Sequence, residues 1–164
     1  MWCWAASGQM IMAYLGHDVN QCTQANNAFG QTRCPCNQCG ASPEPNPTPA
    51  CISGGWPEFE KYGFESKQTS EEPLAWNALT RQLSDASNCK RRPFAFSWHW
   101  PGGGGHMMVA KGYSTVAGVN HVEILDPWSP CQGDERIITY DEFDAVPGNH
   151  THWNDYYDIA YTGT

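Results

Sequence analysis

The chain has 164 residues, 9 Lys+Arg against 17 Asp+Glu and a formal net charge of -8. That length supplies one domain with a core of its own, and the acidic balance leaves no basic stripe for nucleic acid or an anionic membrane surface. No apolar run reaches the roughly 18–20 residues of a membrane span. The 16 glycines and 12 prolines exceed the usual share but fall short of the ~25–30% of low-complexity disorder, so a globular, loop-rich chain is expected.

The run from Trp4 to Leu15 is rich in Ala, Met, Leu and Ile and is followed by Gly16, which predicts a buried helix. Gln21 to Phe29 predicts a second, shorter helix ending at Gly30. From Cys34 to Gly55, five prolines and four cysteines predict a long, crosslinkable loop. Helix is expected weakly over 56–62 and strongly over 71–86, where Ala75, Leu79, Leu83 and Ala86 share one face. Short aromatic or β-branched runs at 93–100, 107–114, 121–125, 136–140 and 156–162 then predict strands. Helices first and strands afterwards give an α+β fold, with a helical half over 1–88 and an antiparallel β half over 89–164.

Cys3 stands at the start of the first predicted helix, where free N–H groups and the positive dipole end favour a thiolate, making it a candidate nucleophile. His106 follows Gly102 to Gly105 and opens a predicted strand, a suitable place for a general base facing open space. Asp126 lies twenty residues on, at the far end of the adjacent hairpin strand, where it can orient the His106 ring. Trp128 follows closely enough to shield the bond between them.

The remaining cysteines are Cys22, Cys34, Cys36, Cys39, Cys51, Cys89 and Cys131. The spacing of Cys34, Cys36 and Cys39 is not the paired Cys-x-x-Cys of a zinc ribbon, so disulfides are expected and no metal. The loop cysteines are expected to join one another or Cys22, with Cys89 bridged to Cys131. An odd count leaves one free or joined to another molecule, which allows an intermolecular disulfide or self-association. Cysteine usage points to an oxidising compartment. The expected location is therefore extracellular or secreted, with a signal or pro-segment not present in this chain.

The strings WCWAAS, QCTQANNAFG, FSWHWPGGGGHMMVAKGY, VEILDPW and ITYDEF together resemble the bacterial papain-like cysteine peptidases of the AvrRpt2 and staphopain type. The resemblance implies a single papain-like domain over 1–164 with the active site in a cleft between the two halves. It implies Cys3 as nucleophile, His106 as base and acid, Asp126 as the residue that orients the histidine, a polypeptide substrate and no cofactor. Trp4, Gly104, Gly105 and Trp128 would line or shield that cleft. Such peptidases carry a glutamine some six residues before the nucleophile as an oxyanion donor, and only Met1 and Trp2 precede Cys3 here. Two alternatives follow from the residues: a catalytically impaired papain-like domain serving as a structural or binding module, and a secreted, disulfide-rich carbohydrate-binding domain using Trp98, Trp100, Trp128 and Trp153.

Overall fold

A computed structural model of the chain describes residues 2–32, 49–84, 91–129 and 131–163. Helix α1 spans Cys3–Tyr14 and buries Trp4, Ala5, Ser7, Gly8, Ile11 and Met12. These positions recur every three or four residues, so one stripe of the helix faces the core. Helix α2, Gln21–Phe29, begins at Asn20, whose side chain accepts the Thr23 N–H at 2.8 Å. That bond satisfies one of the donors that a helix start leaves without an internal partner. Buried Gln24 ties the two helices together by donating to Ala5 O at 2.9 Å.

A short helix, α3 (Pro49–Ile52), supplies the Ala50 carbonyl that takes the Trp2 indole N–H at 2.8 Å, which fixes the entry to α1. The weak helix expected over 56–62 is a single 3₁₀ turn, Phe59–Tyr62. It leads directly into strand β1, Phe64–Gln68. Helix α4 covers Trp76–Leu83, starting five residues later than the expected 71. Strands β2 (Phe94–His99), β3 (Gly105–Val116), β4 (Val119–Asp126) and β5 (Asp134–Thr139) follow, then helix α5 (Tyr140–Asp144) and strand β6 (Thr151–Tyr161).

The six strands form one antiparallel sheet in the order β1-β6-β2-β3-β4-β5. Beta1, from the N-terminal half of the chain, therefore joins a sheet built otherwise by the C-terminal half. Alternate residues of the central strands feed two separate cores. Ala95, Met107 and Val109 pack with Trp4, Ala5, Ile11 and Phe59 on the α1 face. Phe94, Phe96, Met108 and Ala110 pack with Leu79, Leu83 and Phe143 on the α4 and α5 face. Helices on both faces explain why β2 and β3 read as nearly continuous apolar runs instead of alternating ones. Burial on this scale is the main force holding the layers together, at roughly 1.5–3 kcal/mol for each fully buried large side chain.

No described helix is long and apolar enough to cross a membrane. The expected loop over 34–55 and the end of the expected helix over 71–86 fall largely outside the described residues, as do Cys34, Cys36, Cys39 and Cys89.

Candidate active site

Three elements converge on one end of the sheet. Helix α1 begins there with Cys3, β3 begins there with Gly105 and His106, and β4 ends there with Asp126. The β3–β4 hairpin runs from Val116↔Val119 at its turn to Val109↔Leu125. One further step along this ladder brings Asp126 beside the start of β3. Both side chains are buried, His106 at 6% and Asp126 at 6% exposure.

The His106 ring meets Asp126 Oδ1 through Nε2 at 2.6 Å. The Cys3 thiol interacts with the same ring, and with Nε2 on the carboxylate the nitrogen left for sulfur is Nδ1. Burial by itself pushes the Cys3 thiol up, but the hydrogen bond from His106, a backbone bond at Met107 and the charge of His106 outweigh it, so the net shift is downward. Burial likewise pushes His106 down. The hydrogen bonds to Asp126 and Cys3, with their charges, reverse this and raise the imidazole to about 9. Asp126 is pushed up by burial but drawn down further by His106, by the Trp128 N–H and by the charge of Arg136. All three shifts favour the charged forms, thiolate, imidazolium and carboxylate, in the same pH range.

Asp126 is held from several sides. Trp128 N–H donates to Oδ1 at 2.8 Å, and the Arg136 guanidinium donates to Oδ2 at 2.5 Å. Sequence reasoning missed Arg136. Its signal was isolation, since it is the only Lys or Arg after Lys111.

Two aromatic rings wall the imidazole. The Trp128 ring stands perpendicular to it at 5.4 Å between centroids, and the Trp100 plane lies within 8° of parallel at 6.4 Å. Trp128 is 63% exposed, so this wall is the outer rim of the site. Gly104 lies in the turn before β3 with φ +75, a conformation that side chains disfavour. A Cβ on Gly105 would fall 2.1 Å from the Trp98 carbonyl. Both glycines thus let the chain turn tightly into His106. Trp4, expected at the cleft, belongs elsewhere: it is 2% exposed and packs edge-on against Phe29 in the α1 core.

A cavity of about 950 Å³ opens beside Cys3, bounded by Trp2, Ala6 and Met10 on the helix side and by Leu125, Pro127 and Asp134 on the sheet side. Cys3 is a free thiol. Cys22, Cys51 and Cys131 are each in bonded form. Among the described residues no group of three or more His, Cys, Asp or Glu is arranged to hold a metal ion.

The family model described as papain-like cysteine protease AvrRpt2 matches residues 1–145 of the chain. The chain belongs to this family. Membership makes it a cysteine peptidase in class, acting on polypeptides, within an α+β fold compatible with a papain-like domain. No curated protein and no solved structure matches it. In this AvrRpt2-type protease the raised imidazole of His106 is hydrogen-bonded to the buried Asp126 carboxylate and interacts with the free Cys3 thiol.

Proposed function

We propose that this AvrRpt2-type protease hydrolyses peptide bonds through Cys3, His106 and Asp126, with the cavity beside Cys3 forming part of the substrate cleft. The observation that carries this reading is the His106 ring, shared between the Cys3 thiol and the Asp126 carboxylate. The Cys3 thiolate attacks the peptide carbonyl carbon, and the carbonyl π electrons move onto oxygen. N–H groups in the first turn of α1, which have no partner within the helix, face the developing oxyanion. As the tetrahedral intermediate collapses, the C–N bond breaks and the proton on His106 Nδ1 passes to the leaving amine. Water then gives a proton to His106 and its oxygen attacks the thioester carbonyl. The C–S bond breaks with its electron pair left on sulfur, the acid product leaves, and the proton taken from water stays on His106, which restores the thiolate–imidazolium pair.

Asp126 keeps Nδ1 turned toward sulfur throughout. The aromatic rings of Trp100 and Trp128 limit the access of water to the imidazole. Bonded Cys22, Cys51 and Cys131 support a disulfide framework and, with it, a secreted or extracellular setting.

Two measurements test the reading. Iodoacetamide at neutral pH, followed by peptide mass spectrometry, is expected to modify Cys3 selectively. An unfolded-casein cleavage assay is expected to lose all thiol-dependent activity in Cys3→Ala. Casein cleavage that persists in Cys3→Ala would remove Cys3 from the chemistry.

A further inference from the structure

Arg136 on β5 is a cationic side chain at the site that the proposed chemistry does not use. Beta5 pairs with β4 so that Ile124 lies opposite Arg136 and Asp126 opposite Asp134. Side chains alternate along a strand, so Asp126 and Arg136 share a face and Arg136 reaches diagonally to the carboxylate. Its contacts are few and directed. One terminal nitrogen donates to Asp126 Oδ2 and lies 3.9 Å from the Met108 sulfur, and Nε lies 3.9 Å from Asp134 Oδ2. Asp126 has only 7% side-chain exposure, against 38% for Arg136. The carboxylate is therefore the buried member of the pair.

Resting on the reading of Cys3 and His106 as the reacting pair, we infer that Arg136 is a positioning residue, one that holds Asp126 Oδ2 so that Oδ1 stays on the His106 ring. A carboxylate held only through Oδ1 could turn about its Cβ–Cγ bond. With Oδ1 engaged by His106 and Trp128 N–H, and Oδ2 by a guanidinium, rotation breaks a charge-assisted bond. The groups facing Asp126 and His106 are Cys3 from α1, Arg136 and Asp134 from β5, and one another. Read from helix to sheet edge, Cys3, His106, Asp126 and Arg136 alternate in sign in the active state, negative, positive, negative, positive.

Removing the last positive charge has a defined sign on each limb of the pH profile. The thiolate loses a stabilising charge, so the acid limb moves up. The imidazolium loses a repelling charge, but it also loses the fixed Asp126 Oδ1 whose bond and charge raise it, so loss of positioning moves the base limb down.

The experiment compares wild type, Arg136→Gln and Arg136→Lys. Casein cleavage gives kcat, KM and both pH limbs, and the rate of Cys3 alkylation by iodoacetamide across pH gives the acid limb without any need for turnover. In Arg136→Gln, kcat is expected to fall by up to about a hundredfold with KM held, the acid limb to move up and the base limb to move down. Arg136→Lys, which keeps the charge but not the fork, is expected to return the limbs toward wild type. A base limb in Arg136→Gln that stays in place or moves up would overturn the assignment, whatever happens to its melting temperature, because losing the charge alone raises that limb and only a displaced Asp126 lowers it. If wild type alkylates at Cys3 but cleaves nothing, the peptidase reading falls and the His106 midpoint, followed by NMR of the ring protons in Arg136→Gln, still decides the role of Arg136.

Discussion

His106 owes its unusual basicity to two anionic neighbours, and each can be removed separately. Burial works against the imidazolium, so the rise to about 9 reflects what Asp126 and Cys3 return through hydrogen bonds and charge. In Cys3→Ala the sulfur's share disappears while the bond to Asp126 stays. The His106 midpoint, followed by NMR of the ring protons, is expected below 9 but above its ordinary value of 6.5. A midpoint that stays near 9 in Cys3→Ala would mean that the thiolate does not face the ring. All three members of this row were legible in sequence, because each sits beside a local signal: a helix start, a glycine turn and a hairpin end. Arg136 was not, because its role depends on β4–β5 register, and register is set by pairing over distance. Trp4 was misplaced for a related reason. The resemblance placed it at the cleft beside Cys3, but on a helix the next residue points about 100° away, here into the core.

At the scale of elements, the late start of α4 has a visible cause. Residues 69–74 are pinned along β6 as an irregular strap, bent over 70–72 with Glu71 at φ 58: Thr69 N–H donates to Asp155 O at 3.0 Å, Glu71 N–H to Trp153 O at 2.6 Å, and Leu74 N–H to Asp155 Oδ2 at 2.6 Å. Glu71, Glu72 and Pro73 look like a helix first turn by composition, but these bonds to β6 outcompete it. Asp155 is the anchor. It is 0% exposed, and its Oδ1 meets His152 Nε2 at 3.0 Å while His152 Nδ1 donates to Phe143 O at 3.1 Å. One carboxylate thus joins the strap, β6 and α5. Asp155→Ala leaves the buried His152 without its partner and is expected to cost about 3–5 kcal/mol in urea unfolding. Asp155→Asn, which keeps an acceptor for the Leu74 N–H, should cost less. A loss in the alanine variant within the ~0.5 kcal/mol of an ordinary surface change would deny the strap its anchor. Other elements escaped sequence reading for physical reasons too. Beta1 is a mostly polar edge strand, Phe-Glu-Ser-Lys-Gln, with little apolar pattern to read. Helix α5 did carry a signal, since Thr139 accepts the Glu142 N–H at 3.1 Å in a Thr-x-x-Glu capping arrangement, but Arg136 to Tyr140 also reads as a strand.

For the whole molecule, the placement of the row at the end of a two-faced sheet links folding to protonation. His106 has a folded value raised to about 9 from 6.5. Its contribution to stability is therefore complete below about 6.5 and is lost as pH rises through 9. Asp126 has a lowered folded value, so its contribution is present above the ordinary carboxylate range and is lost as pH falls through that lowered value. Buried Tyr156 adds a separate alkaline step. Its phenol is raised by burial, and by Glu60, from 10.0 to about 12, so stability is lost again between those values as the unfolded chain ionises first. Cys3, whose folded value is lowered from 9.0, opposes the His106 loss by adding stability as pH rises toward 9.0. Urea unfolding across a pH series is thus expected to show a first decline between about 6.5 and 9 that is partly offset by Cys3, and a second above 10. Asp126→Asn removes the charged hydrogen-bond partner of His106 but leaves Tyr156 untouched. In that variant the first decline should shrink while the second keeps its place and size. An undiminished first decline in Asp126→Asn would assign it to groups other than the His106–Asp126 pair, and would separate the stability of the sheet end from the charges of the candidate site.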